Sequence, residues 1–329
     1  MSTMSDFRRV ADDVRNWGRW GDADELGTLN FITTEKVAEA ASLVRTGKVF
    51  PLGVEFGSSG PQGAFHYRQN PLHVMTVDGG DADTLVRYGP QWLRNPLATQ
   101  LSGYFEDSPF RFNDDIIIMP LQAATQWDAL SHVYYEDNLY NGFPANSVTS
   151  AGAYHCGIDK VDTKGITSRG VLLDIVALRG AETYLELGDP ITADELDAAA
   201  KAQGVAVTRG DIVLIRTGWW TRFLRTGDGI EPGAGLDWRC ASWLHDHEVA
   251  AVAADNLMVE DPVSGVEGTI LPMHMLCLRD MGMMLGEYWD LAALAADCAV
   301  DGVYEFQLIA PPLRVTGAVG SPVNPIAIK

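Results

Sequence analysis

The chain has 329 residues, 47% hydrophobic and 21% charged, which is the balance of an ordinary folded protein able to bury a large core. Its 24 Lys and Arg stand against 44 Asp and Glu, and a net charge of -20 repels a phosphate backbone, so nucleic acid is not expected as a partner. No stretch approaches the roughly 20 apolar residues that cross a bilayer, and the N-terminus turns polar and acidic where a secretion signal needs an apolar core, so a cytoplasmic protein without a membrane partner is expected.

Cys156, Cys240, Cys277 and Cys298 are widely spaced, form no CxxC pair, and read as small buried apolar residues. No repeat, low-complexity segment or Pro/Ser-rich linker marks a boundary, so residues 1–329 read as a single domain. In chain order, the first predicted helix covers 33–46, where Val37, Ala40, Ala41 and Val44 share a face and Gly47 supplies a stop. A strand is predicted at 171–178. The next helix opens on a Thr192/Glu195 capping box, carries Leu196, Ala199 and Ala200 on its apolar face, and closes at Gly204. A strand at 212–217, a helix at 238–247, a strand at 249–254, a helix at 290–296 and a strand at 304–309 follow. These strands are nearly all apolar, as strands covered on both faces are, but the helices between them are too few for a doubly wound sheet. The expected class is α/β, with a mixed β-rich core and a few packed helices.

No GxSxG elbow, HExxH, Walker loop or helix-opening GxGxxG is present. What stands out is QAATQWDALSH at 122–132, just after the apolar run at 116–119. In extended chain, residues an even number apart point to one side, so Gln122, Gln126, Asp128 and His132 would share a pocket. An amphipathic edge strand running into a turn accounts for the same spacing equally well. Farther on, His274 and Glu287 lie in apolar surroundings where an unpartnered charge is expensive. Each alone reads as a hydrogen-bonded core histidine or a helix-terminal charge. Together with Asp128 they form one imidazole and two carboxylates, a set suited to a divalent cation. Trp127, Trp219, Trp220 and Trp289 are candidate walls for a flat substrate, although tryptophans are more often core. Asp255-Asn256 reads as a polar turn closing a strand rather than a pocket group.

Several segments carry a resemblance: QAATQWDALSH at 122–132, RGVLLD at 169–174, GDIVLIRTGW at 210–219, the His274 and Glu287 pair, and GSPVNPIAI at 320–328. On these residues the chain resembles the cyclase superfamily that includes kynurenine formamidase and isatin hydrolase. The likeness runs from about residue 115 to 329, and RWGDADELGTLN at 19–30, within an N-terminal helical segment 1–50, resembles a subgroup signature. The family's hallmark is HxGTHxDxxxH, in which the first two histidines and the aspartate bind metal and the last histidine assists catalysis. Here the pattern is QxATQxDxxxH. Gln122 and Gln126 stand at the two metal-binding histidines, Ala124 replaces the glycine, Thr125, Asp128 and His132 match, and His274 and Glu287 resemble the later metal ligands.

The resemblance implies a swivelling β/β/α-type fold, a homodimer or homotetramer, and a hydrolase opening an amide, lactone or cyclic imide of a small molecule. A Gln oxygen is a harder, weaker and uncharged donor than imidazole, so two zinc ions are not expected. Two expectations stay open. Asp128, His274 and Glu287, helped by the Gln122 or Gln126 oxygen, hold one Mn²⁺, Mg²⁺ or Zn²⁺, with His132 as acid/base and Asp128 orienting ligands or water. Alternatively the site has no metal, the glutamines bind substrate, and His132 with Asp128 serve a lyase, dehydratase or cyclase. A catalytically dead binding protein is disfavoured, since Asp128, His132, His274 and Glu287 are all kept. The resemblance also implies that the segment Trp20, Asp22, Leu26, Thr28 and Asn30 folds over the pocket, from its own chain or from a neighbouring subunit.

Overall fold

The computed structural model describes residues 2–62, 68–77, 113–161, 164–229, 231, 233–263 and 265–329. The strands in chain order are β1 (Val49–Pro51), β2 (Leu72–Val77), β3 (Asp114–Ile118), β4 (Gln126–Asp128), β5 (Val148–Thr149), β6 (Gly152–Ala153), β7 (Thr167–Asp174), β8 (Ile212–Arg216), β9 (Ala251–Ala254), β10 (Met284–Glu287), β11 (Glu305–Ile309), β12 (Gly320–Pro322) and β13 (Ile326–Ile328). Nine of them form one mixed sheet in the order β1-β13-β11-β7-β8-β9-β10-β4-β12. The pairs β7–β8, β8–β9 and β9–β10 are parallel, and the flanking pairs are antiparallel. The central strands are the apolar ones, with Val171 to Leu173, Ile212 to Ile215 and Val252 to Ala254 without exposed surface, because both faces of the parallel part are covered. The fold is thus the mixed α/β domain expected.

Helix Ala193–Gln203 has the capping box of Thr192 and Glu195 and ends at Gly204 with φ +66°, as its sequence requires. Helix Thr34–Ser42 is capped by the Thr33 side chain but stops well before Gly47. The helix expected at 238–247 covers Cys240–Asp246, and the one expected at 290–296 covers Ala292–Asp301, ending at Gly302 with φ +71°. The strand expected at 171–178 needs correction: it stops at Asp174, whose carboxylate accepts the Ala177 N–H at 3.0 Å and so caps a short helix, Ile175–Leu178. Among the described residues, several helices were not individually expected, including Met275–Met281, a π-helix, Met4–Asp13, which lies within the helical segment expected at 1–50, and Trp219–Thr226. Met4–Asp13 is opened by a Thr3/Asp6 capping box, and Trp219–Thr226 follows Gly218 at φ +82°. All four cysteines are buried and unpaired.

The stretch 122–132 is not one extended segment. Only β4 is strand, the turn Pro120 O to Ala123 N precedes it, and the turn Ala129 O to His132 N follows it. β4 pairs with β10 on one side and β12 on the other, which places the motif inside the sheet rather than at its edge. The apolar run before it belongs to a separate two-stranded ribbon, β2–β3, where Leu72, Val74, Met75, Ile116, Ile117 and Ile118 are 40–50% exposed.

Candidate active site

Register decides which side chains meet. Asp128 lies opposite Leu285 and Gly320, while Gln126 lies opposite Glu287 and Pro322, so Gln126, Asp128 and Glu287 share one face of the sheet. Trp127 takes the other face. It is fully buried, its indole N–H donates to the Ala310 carbonyl at 2.9 Å, and its ring meets Trp289 edge-on at 4.9 Å. The structure therefore puts Trp127 and Trp289 in the main core, on the side away from Asp128.

His274 arrives from the single helical turn Pro272–His274, and its Nε2 lies 3.4 Å from Glu287 Oε1 and 3.9 Å from Asp128 Oδ2. One ligand atom from each of Asp128, His274 and Glu287 falls within 4.8 Å of the others, and all three residues are buried. The Gln126 amide N–H₂ reaches Glu287 Oε2 at 2.9 Å and Asp128 Oδ1 at 3.4 Å. His132 Nε2 stands 3.8 Å from Asp128 Oδ1, reached through the turn after β4, with its side chain 20% exposed. Gln122 fills space that Gly320 leaves open: a Cβ on Gly320 would sit 2.5 Å from its Nε2. Since Gly320 is opposite Asp128, the Gln122 amide lies on the same face as the carboxylates. Gln122, Gln126, Asp128, His132, His274 and Glu287 thus share one neighbourhood, although by strand register and two turns rather than by alternation along one strand.

Burial sets the electrostatics. It raises the Asp128 carboxyl above the ordinary range, a shift that His132 opposes and neighbouring Glu287 reinforces. Burial also opposes charge on Glu287, but the hydrogen bond and charge of His274 outweigh it and hold that carboxyl low. For His274, burial is overcome by its bonds to Glu260 and Glu287, and its pKa stands at about 10. Of the buried side-chain polar atoms without a hydrogen-bond partner among the described residues, three lie at this site: Gln122 Nε2, Gln126 Oε1 and Asp128 Oδ2. An orphaned acceptor in the interior costs about 1–3 kcal/mol, and two lie in this one cluster. Two carboxylates, one imidazole and an amide oxygen form a donor set that fits one divalent cation.

Three further groups, Arg68, Gln62 and Glu260, had no signal in the sequence pattern, whereas Thr125 and Trp219 did. Arg68 donates to the Gln122 carbonyl at 3.5 Å and lowers the pKa of both Asp128 and Glu287 by its charge. Gln62 donates to the Ala123 carbonyl at 3.0 Å. Glu260 faces His274 Nδ1 at 2.6 Å. The Thr125 hydroxyl accepts from Val54 N–H at 2.8 Å and donates to the Tyr288 carbonyl, tying the motif to the end of β10. Trp219 belongs to a second apolar cluster with Val54, Ala124, Trp220, Phe223, Leu257 and Tyr288, which adjoins the site through Ala124 and Tyr288. It stacks on Phe223 at 5.8 Å and lies 5.4 Å from Tyr288.

Asp255 is structural, accepting from Thr217 N–H, the Thr217 hydroxyl and Gly218 N–H at 2.7–2.8 Å, so it joins β8 to the helix that follows. The segment at 19–30 does not cover this site from within its own chain. Thr28 bonds the Ala250 and Gly282 carbonyls, just before β9 and β10, whereas Glu287 closes β10 at its far end.

The Cyclase family model matches residues 65–261. A crystal structure of a novel cyclase superposes with a TM-score of 0.81 at 40% identity, covering 96% of this chain and 100% of the other. The chain belongs to the cyclase family. Two more distant structures share the cyclase fold. An isatin hydrolase bound to the product analogue thioisatinate has a TM-score of 0.59 at 15% identity, covering 90% of this chain and 98% of its own. Isatin hydrolase A from Ralstonia solanacearum has 0.58 at 18%, covering 91% and 98%. No curated protein matches the sequence. His274 and Glu287 lie beyond the matched 65–261, so only folding joins them to Asp128.

Proposed function

We propose that this cyclase-family chain is a hydrolase that opens the C–N or C–O bond of a small amide, lactone or cyclic imide with the help of one divalent cation. The observation that carries the reading is the buried cluster of Asp128, His274 and Glu287, with Asp128 Oδ2 and Gln126 Oε1 lacking hydrogen-bond partners among the described residues. Asp128, His274 and Glu287 would hold the cation, and Gln126 would add its oxygen once the amide turns over. When bound, such a cation polarises a carbonyl and lowers the pKa of water, the two contributions amide and ester hydrolysis needs.

The remaining work falls to this chain's own side chains. His132, partly exposed beside Asp128, takes a proton from the attacking water and returns it to the leaving nitrogen or oxygen. Asp128, whose Oδ1 lies 3.8 Å from the His132 Nε2, would orient the imidazole or the attacking water. Gln122 Nε2, a free donor on the same face, is suited to a substrate oxygen. The aromatic cluster around Trp219 and Tyr288 suits a planar substrate held next to Glu287.

One observation favours a second reading. The Gln126 N–H₂ group already donates to one oxygen of each carboxylate, so both are partly satisfied without any cation. In that case His132 and Asp128 are the acid and base of a metal-independent lyase, dehydratase or cyclase. Elemental analysis of the purified protein, with a screen over formamides, lactones and cyclic imides before and after chelation, separates the two. Bound metal with activity lost on chelation supports the hydrolase; metal-free protein with undiminished turnover sinks it.

A further inference from the structure

Glu260 is fully buried and lies outside the residues that face the proposed cation. Three N–H groups converge on its carboxylate. Oε2 accepts from Met273 N–H at 2.9 Å, Oε1 accepts from His274 N–H at 2.9 Å, and Oε1 also lies 2.6 Å from His274 Nδ1. The same side chain thus holds the backbone at the start of the Pro272–His274 turn and the ring that the turn carries. Its own placement is over-determined. Glu260 bridges Leu236, and Gly235 packs so closely that a Cβ there would lie 2.3 Å from the Glu260 carbonyl carbon. Both ends of the contact contain non-glycine residues in left-handed backbone: Met258 and Val259 at φ +84° and +58°, and Leu271 at φ +51° before Pro272. Such conformations persist where the surroundings enforce them, and they gather at functional sites.

We propose that Glu260 is the positioning residue of the site: it keeps a proton on His274 Nδ1 and fixes the ring so that Nε2 faces Asp128 and Glu287. This rests on the metal-assisted reading above. A carboxylate is required because an ionised carboxylate only accepts, with room for several donors, whereas an amide in its place would turn N–H₂ towards one of the three converging N–H groups. An imidazole that ligates a cation through one nitrogen and is oriented through the other commonly loses about 10- to 100-fold in metal affinity when its orienting partner is removed.

The test uses full-length protein labelled with ¹⁵N-histidine, stripped with chelator, as wild type, Glu260→Ala, Glu260→Gln and Leu236→Ala; the last is a packing control beside Glu260 that keeps the carboxylate. In wild type the His274 Nδ1–H resonance exchanges slowly with water. Glu260→Ala loses that resonance and binds Mn²⁺ at least tenfold more weakly in a direct titration, while Leu236→Ala keeps both properties whatever it loses in melting temperature. If Glu260→Ala does not fold, Glu260→Gln keeps the volume and shows faster Nδ1–H exchange and weaker Mn²⁺ binding. An unchanged Nδ1–H resonance and unchanged Mn²⁺ affinity in a folded Glu260 variant overturns the proposal. If wild type binds no Mn²⁺, the metal-assisted reading falls, and the resonance alone decides whether Glu260 holds the ring.

Discussion

Raising the pH from 7 to 9 should weaken the metal-free protein, and His274 sets the amount. The folded-state pKa of about 10 lies above the ordinary 6.5 because the bonds to Glu260 and Glu287 outweigh burial. A group raised in this way contributes stability that is complete below its unfolded pKa and is lost as pH climbs through the folded one. Between pH 7 and 9 the folded ring keeps its proton while the unfolded one has mostly released it. One proton of difference costs about 1.4 kcal/mol per pH unit, so the loss across this window is ~2–3 kcal/mol. The lower half of the window is the cleaner one, because the thiols of Cys156, Cys240, Cys277 and Cys298, pushed up by burial, add a slope of the same sign as pH approaches and passes their ordinary value of 9.0. Urea denaturation in chelator at pH 7, 8 and 9, with unchanged m-values, reads the slope. His274→Asn should flatten it. A variant with the wild-type slope, or a wild type without one, refutes the reasoning that His274 is held as an imidazolium between two carboxylates.

His132→Ala should lower turnover by about 100-fold or more while leaving the melting temperature nearly unchanged, since the side chain is partly exposed and its role is proton transfer; near-normal rates on any substrate found in the screen remove it from the mechanism. Gly320→Ala should cost about 1–3 kcal/mol, because its Cβ must push aside the Gln122 amide and lies 3.0 Å from the Trp127 carbonyl. If Gln122 binds substrate, KM rises with kcat largely kept; an unchanged KM takes Gln122 out of substrate recognition. We propose, on the family resemblance alone, assembly as a homodimer or homotetramer, and the half-exposed β2–β3 ribbon is the apolar surface to probe. Sedimentation of wild type and Ile116→Lys should show a lower mass for the variant, and equal masses clear the ribbon of that role.

Local chemistry made several elements legible in the chain. The Thr192/Glu195 box and Gly204 bound a helix because a cap and a left-handed stop act within a few residues of themselves. The apolar runs at 212–217 and 249–254 were readable as buried strands because both faces of the parallel centre are covered. Asp174 ended a strand early for an equally local reason, a side-chain cap that the apolar residues after it disguised.

For the site, the residue types available were legible in the chain: Asp128 and His132 four apart, two glutamines at the places of histidines, and a distant His274 and Glu287. How they meet came from folding alone. Pairing β10 with β4 sets Glu287 against Gln126, the turn at Pro272 brings His274 across from Asp128, and the opposite pleat sends Trp127 into the core. Arg68 and Glu260 belong to the site through those same approaches. Strand pairing and loop closure join residues more than a hundred positions apart, and no spacing within a short motif encodes that distance.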